Sequence, residues 1–256
     1  MECKDVEWAA FLFNSMGEDW AYIRQSVEIK NNIGEPDHIV NEIFKFLNSW
    51  RSRRKSEVKT QIKNWYNENR NRLNDLPRFL VDASLDNETT ADKIKDIYRS
   101  LLGNKGNGMG DTTASKTLHM LRPDLFVPWD IPIKSWYNSQ LNNKDYKTME
   151  PAEKYLVFLK KMQEKAKYLL SQNPNFLSDL NSKVLKLYEG NLEQARNNEL
   201  KLNGDSNKSI KEKIDNYTKM VKFMRTTGKT LAKYLDEYNW ITITNNVKIK
   251  PEWHPD

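Results

Sequence analysis

Gly103-Asn104-Lys105-Gly106-Asn107-Gly108-Met109-Gly110 is the one glycine-dense stretch of this chain. Before it, Ile94, Ile97, Tyr98, Leu101 and Leu102 recur at helical spacing. After it, Ala114, Leu118 and Leu121 fall at i, i+4 and i+7, a single apolar stripe. A short glycine run between two such patterns reads as a tight hairpin joining two helices rather than as a linker. Arg122-Pro123-Asp124 ends the second helix, and Val127-Pro128-Trp129-Asp130 follows.

The helical grammar extends outward in both directions. Trp8, Phe11 and Leu12 predict a short first helix. Ile39, Val40, Ile43, Phe44, Phe46, Leu47 and Trp50, introduced by Pro36-Asp37, predict a strongly amphipathic one. That helix runs into the basic cluster Arg51, Arg53, Arg54, Lys55, either a phosphate contact or a solvated helix end. Val58, Ile62, Trp65 and Tyr66 continue in a further helix, and Leu76-Pro77 breaks it. Thr89 or Thr90 is placed to cap the helix before the hairpin. Helices are expected from Met149 to Leu170, from Phe176 to Tyr188 and from about Ile210 to Tyr238. Residues 191–208 read as a polar, Asn-rich surface excursion. Ile241-Thr-Ile-Thr and Val247-Lys-Ile-Lys around Asn245-Asn246 read as a small C-terminal β-hairpin. No internal repeat and no heptad pattern is visible. The expected fold is therefore all-α, one mainly helical unit over residues 1–256: a helical bundle with a helix-hairpin-helix.

Composition narrows the function classes. With 256 residues, 38% apolar, and a mean hydropathy of −0.83, the core is lean, but eight Trp and nine Phe bury large areas each. Nine Gly and nine Pro are few for an all-β chain. No apolar run reaches the roughly 20 residues that span a bilayer, so no membrane role is expected, and MECKDVEWAA lacks a secretion signal's apolar stretch. The single cysteine, Cys3, excludes an intramolecular disulfide or a four-cysteine metal or iron–sulfur site within the chain. His38, His119 and His254 form no metal-ligand pattern, so no metal and no cofactor are expected. A cytoplasmic location is the simplest expectation. Net charge +6 suits a polyanionic partner.

The stretch Gly108-Met109-Gly110, three residues, Ala114, a helix and then Val127-Pro128-Trp129-Asp130 resembles the helix-hairpin-helix DNA glycosylase superfamily. The resemblance covers about residues 91–133. It implies a DNA base-excision repair glycosylase acting on a damaged base in double-stranded DNA, with or without AP-lyase activity. It also implies that backbone groups at Gly108, Met109, Gly110 and Thr112 contact a DNA phosphate. Glycine at 108 and 110 would allow close approach and positive φ, and the start of the next helix, with Asp111 as its N-cap, would add a favourable dipole. Such contacts position DNA without reading its sequence.

By position Asp130 is the family's catalytic carboxylate, stabilising an oxocarbenium-like sugar or activating a nucleophile. It is equally well placed to cap a helix starting at Ile131-Pro132. Where strand-cleaving members carry a lysine, this chain has Thr112. Lys116, one helical turn on, is the candidate Schiff-base nucleophile, against the reading of a solvent-facing lysine. If Thr112 marks the chemistry, the enzyme is monofunctional and uses Asp130 with water. An extruded base has to be stacked and hydrogen-bonded. Trp129 and Trp136, flanking the aspartate, are either its stacking walls or core aromatics, and His119 is either a polar pocket wall or structural. The 8-oxoguanine branch fits by elimination, since the cluster-bearing branches need four cysteines; alkylated bases remain open. Two other readings stand beside the glycosylase: a non-catalytic helix-hairpin-helix DNA-binding protein, and a helical protein with no DNA role.

Overall fold

The structure, a computed structural model, describes residues 1–17, 19–32, 34–52, 56–102, 109–141, 144–201 and 208–248. Among these residues there are twelve α-helices and no strand. In chain order they are α1 (Cys3–Ser15), α2 (Trp20–Asn31), α3 (Pro36–Leu47), α4 (Ser56–Asn74), α5 (Glu88–Leu102), α6 (Asp111–Leu121), α7 (Ile131–Gln140), α8 (Lys144–Thr148), α9 (Pro151–Gln172), α10 (Phe176–Lys201), α11 (Lys208–Thr226) and α12 (Leu231–Asn239). Two π-helical turns, Asn48–Ser52 and Trp240–Thr244, extend α3 and α12. The fold is the expected all-α bundle, and among the described residues no helix is long and apolar enough to cross a membrane.

Helix α6 is the axis of the packing. Every residue from Thr113 to Met120 is buried. A helix covered on all sides belongs to the core, and α3 and α5 both pack on it. Its short side chains let neighbours approach closely. One continuous core runs from Val6 on α1 to Leu235 on α12. A smaller cluster of Ala9, Phe13 and Ile241 sits beside it, flanked by Trp8, Trp50 and Trp240.

Several expectations change. Asn87, not Thr89 or Thr90, starts α5: its Oδ1 accepts the Thr90 N–H at 3.2 Å. Residues 191–201 of the expected excursion are helical, because Leu192 and Ala195 continue the buried row Leu180, Val184, Tyr188 at helical spacing; 202–207 lie outside the described residues. The single helix expected over 210–238 is two. Gly228, at φ +70°, breaks it, and Thr230 accepts the Lys233 N–H at 3.1 Å to start α12. The C-terminal β-hairpin is not formed where it was expected to begin. Residues 241–244 wind on from α12, with the Asn245 N–H donating to the Trp240 carbonyl at 2.9 Å. Ile241 is buried against Phe13 and Ala9, so tertiary burial overrides a four-residue alternation; residues 249–256 lie outside the described set.

A buried ion cluster ties α1, α2, α10 and α12 together. Lys229 pairs with Asp19 and, at 2.8 Å, with Glu237. Lys233 lies 3.1 Å from Asp236 and 3.5 Å from both Asp19 and Glu237. Asn14 Oδ1 accepts from Lys229 at 2.6 Å, and the Tyr188 hydroxyl donates to Asn14 and to Asp19, the latter at 3.3 Å. Burial alone would strip the proton from Lys233, yet Asp236, Asp19 and Glu237 hold it on more tightly than in water. Burial likewise opposes ionisation of Asp19, but Lys229 and Lys233 keep its carboxyl below the usual range. Burial raises the other two carboxylates despite the lysines beside them, Glu237 to about 7 and Asp236 above its ordinary range.

Two outcomes are expected. Gly228→Ala puts a Cβ 2.9 Å from Asn181 Nδ2 at a positive φ; it lowers the unfolding free energy by about 1–3 kcal/mol in urea titrations. Glu237 binds its proton more tightly folded than unfolded, so its contribution is present below pH about 4.5 and is lost as pH rises through about 7. Glu237→Gln therefore flattens the fall of Tm over that window, measured by thermal melts at stepped pH.

Candidate active site

Three side chains clamp the segment between α6 and α7. His119 Nδ1 donates to the Phe126 carbonyl at 2.6 Å. Burial pushes the His119 pKa down to about 3, so the ring is neutral. The Tyr155 hydroxyl donates to the Val127 carbonyl at 2.9 Å. Ser115 Oγ accepts the Trp129 N–H at 2.9 Å and also lies 3.5 Å from its carbonyl. Ser115 precedes Lys116 and Trp129 precedes Asp130, so this link ties the turn of α6 that carries the lysine to the segment that carries the aspartate.

Lys116 and Asp130 line one cavity of about 260 Å³, with Phe13, Ser49, Trp50, Trp240, Thr244 and Asn245. Its walls come from α1, both π-helical turns, α6 and the residue that starts α7. Lys116 is only 5% exposed, unusual for a lysine, and its Nζ lies 4.9 Å from the centre of the Trp50 ring. Asp130 caps α7, accepting the Ile133 N–H at 3.1 Å. Capping and cavity lining thus coexist in one side chain. Burial raises the Asp130 pKa above the ordinary range. The Ile133 N–H opposes that shift, Asp236 adds to it, and Lys116 opposes it. The buried ion cluster touches the cavity from behind: Lys233 Nζ lies 4.4 Å from the centre of Phe13 and 5.0 Å from that of Trp50.

The other expected pocket residues lie elsewhere. Trp129 is fully buried in the core, stacked on Phe158 with centroids 5.4 Å apart. The clamp at Ser115 holds its backbone so that the ring turns inward while Asp130 turns to the cavity. Trp136, 42% exposed, packs edge-on against Tyr137 on the far part of α7 and lines a different hollow with Lys161 and Lys165. His119 is a structural clamp, stacked on Tyr22 at 5.4 Å. The aromatic walls are instead Phe13, Trp50 and Trp240. Their sequence signal was only the recurrence of aromatics in three segments far apart in the chain.

At the hairpin, Gly103 to Gly108 lie outside the described residues. Met109 is buried, while Gly110 is exposed and is the N-cap of α6. Gly110 has φ −89° and ψ 176°, ordinary extended backbone, so positive φ is not what a glycine supplies there. Asp111 is the first helical residue rather than the N-cap. It accepts from the Tyr98 hydroxyl at 3.1 Å and pairs with Lys134, joining α5, α6 and α7. Thr112 is only partly buried and does not line the cavity. Of the basic cluster 51–55, Arg51 and Ser52 end the first π-helical turn, and residues 53–55 lie outside the described residues. Among the described residues no group of His, Cys, Asp or Glu could hold a metal ion.

Compared with family models, curated proteins and solved structures, the chain matches none.

Removing the Ser115 hydroxyl orphans the buried Trp129 N–H. Ser115→Ala is expected to cost about 1–3 kcal/mol in denaturant unfolding and to loosen Asp130, seen as faster amide exchange at Trp129 and Ile133.

Proposed function

We propose that this protein is a DNA base-excision repair glycosylase with AP-lyase capability, in which Lys116 is the nucleophile and Asp130 the catalytic carboxylate. The observation that carries the reading is that these two residues, selected from the sequence, share one small cavity walled by three aromatic rings. Two of its properties support it. At about 260 Å³ the cavity falls below the roughly 300–1,000 Å³ of drug-sized ligand sites, a size for one extruded base. Its charged groups are one amine and one carboxylate of raised pKa, the pair such chemistry needs.

In the reaction, Lys116 gives up a proton and its amine nitrogen attacks C1′ of the damaged nucleotide. The C1′–N bond breaks, and its electron pair leaves with the base, which takes up a proton. The attacking nitrogen loses one proton, and the ring oxygen takes one up as the sugar opens to an iminium ion that keeps the second proton on nitrogen. Loss of the 2′ proton then expels the 3′ phosphate. Ionised Asp130 stabilises the positive charge that builds on the sugar, in surroundings with little water to screen it. DNA is held by backbone groups at the start of α6.

Borohydride added to the protein with duplexes carrying 8-oxoguanine, uracil or an alkylated base is expected to trap a covalent adduct, abolished in Lys116→Gln. Asp130→Asn is expected to slow excision by at least about a hundredfold. Because the active Asp130 is ionised, excision falls as pH drops through its raised pKa, so the acid limb lies above the ordinary carboxylate range and disappears in Asp130→Asn. Base release without trapping would identify a monofunctional enzyme using water. Trapping that survives in Lys116→Gln would overturn the assignment of the nucleophile. Salt-dependent duplex binding with no release would mean a DNA-binding protein, and no binding a protein without a DNA role.

A further inference from the structure

A second hollow, of about 510 Å³, lies where α2 meets the segment after α4, the turn after α6 and the junction of α11 and α12. It shares no residue with the cavity of Lys116 and Asp130. Its volume falls within the roughly 300–1,000 Å³ of small-molecule sites. Phe79, Met120, Leu121 and Leu177 give it an apolar lining. Two charged side chains on that lining, Asp124 and Arg78, are left uncommitted by the fold. Asp124 is half-buried, and its carboxylate has no hydrogen-bond or ion-pair partner among the described residues. Its oxygens are not among the unpartnered atoms that are closed to solvent. Burial raises its pKa, and Arg78 and Arg122 oppose the rise. Arg122 is engaged by the carbonyls of Leu73, Leu76 and Pro77. Arg78 is exposed, and its guanidinium lies over the Phe79 ring, 4.8 Å from the centre. Stacked in that way, it keeps its N–H edge open, and no carboxylate among the described residues pairs with it. Burial raises the Tyr22 pKa, Lys233 opposes that, and Asp19 and Asp124 add to it. Arg78 and Tyr22, which both feel the Asp124 charge, line the hollow, and this puts the carboxylate on its wall.

A carboxylate partly withdrawn from water is costly unless it is paired, and a neighbouring guanidinium is its best partner, through a forked pair of hydrogen bonds. Here the two stand apart on one apolar hollow. Lys30, a further cation there, already donates to Thr227 Oγ1 at 3.1 Å. A ligand that carries both an ammonium and a carboxylate satisfies Asp124 and Arg78 together, because the first accepts only and the second donates only. We propose that this hollow binds a free α-amino acid with an apolar side chain, its ammonium on Asp124, its carboxylate on Arg78 and its side chain against Met120, Leu121 and Leu177. This site is separate from the glycosylase reading, and neither depends on the other.

The test is calorimetric titration of the whole chain with leucine and with two analogues that each lack one charge, isopentylamine and isocaproate. Leucine is expected to bind at millimolar concentration or below. Each analogue is expected to bind about tenfold more weakly or worse, since each forfeits a charge-assisted hydrogen bond. Glycine, which has no side chain to bury, is expected to bind more weakly than leucine as well. Asp124→Asn and Arg78→Gln are each expected to weaken leucine by about tenfold or more, with Tm little changed, because neither side chain has a hydrogen-bonded partner in the protein to lose. The analogue series on wild type decides the matter even if a variant fails to fold. A second readout locates the ligand. The ¹³C carboxyl signal missing from Asp124→Asn identifies Asp124 in wild type, and leucine is expected to move its titration to lower pH, since a bound ammonium favours the carboxylate. No heat with leucine at millimolar concentration, an analogue that binds as tightly as leucine, binding that both variants leave intact, or an Asp124 titration that leucine does not move would overturn the proposal.

Discussion

The buried ion cluster at the centre of the bundle is the interaction on which the rest of the structure depends. Lys229, Lys233 and Glu237 are completely buried, and Asp19 joins them from the start of α2. Charges withdrawn from water carry a large desolvation penalty, and removing one partner of such a group typically costs about 3–5 kcal/mol. The cluster is tolerable only because each charge meets several opposite ones along with Asn14 and Tyr188. That requirement couples four helices: the Lys233–Asp236 and Lys229–Glu237 pairs form locally at α12, and Asp19, Asn14 and Tyr188 complete the cluster only when α1, α2 and α10 pack against it. It also constrains the cavity, because the Lys233 ammonium lies against the rings of Phe13, Tyr22 and Trp50. Two of those rings are cavity walls.

The second constraint is backbone placement. Helix α6 is buried along its length, and the chain leaving it is tied back by His119, Tyr155 and Ser115. These hydrogen bonds satisfy peptide groups that no strand or helix accommodates. Their effect on chemistry is indirect. A segment held at Phe126, Val127 and Trp129 has little freedom left at Asp130, which is thereby placed both to cap α7 and to line the cavity that Lys116 also lines. The fixed geometry of the pair comes from side chains that never enter the cavity.

Much of the helical plan was legible because apolar spacing in α3, α5 and α9 is regular and burial follows it. Where the reading failed, one competing effect can be named each time. The Asn-rich end of α10 hid Leu192 and Ala195, which bury on the same row as Tyr188. Ile241 looked like a strand residue, and its burial against Phe13 keeps the chain winding. Helix α2 drew no expectation, and Asp19 at its start went unnoticed, since an aspartate's burial depends on lysines more than 200 positions away. Lys229, Lys233 and Glu237, spaced by four, drew no expectation from the sequence, yet in the fold they are part of the core.

The sequence by itself determined the helical class, because apolar periodicity is local, and it singled out Lys116 and Asp130 only through the resemblance of residues 91–133 to the helix-hairpin-helix DNA glycosylases. Only the tertiary structure decided that these two share a cavity, that Trp129 turns into the core, and that Phe13, Trp50, Trp240 and Thr244 complete the walls. The physical reason is range. Helix propensity and capping act over three or four residues, whereas a cavity is assembled from helix ends contributed by distant segments, and its position is set by the packing and charge balance of the whole bundle.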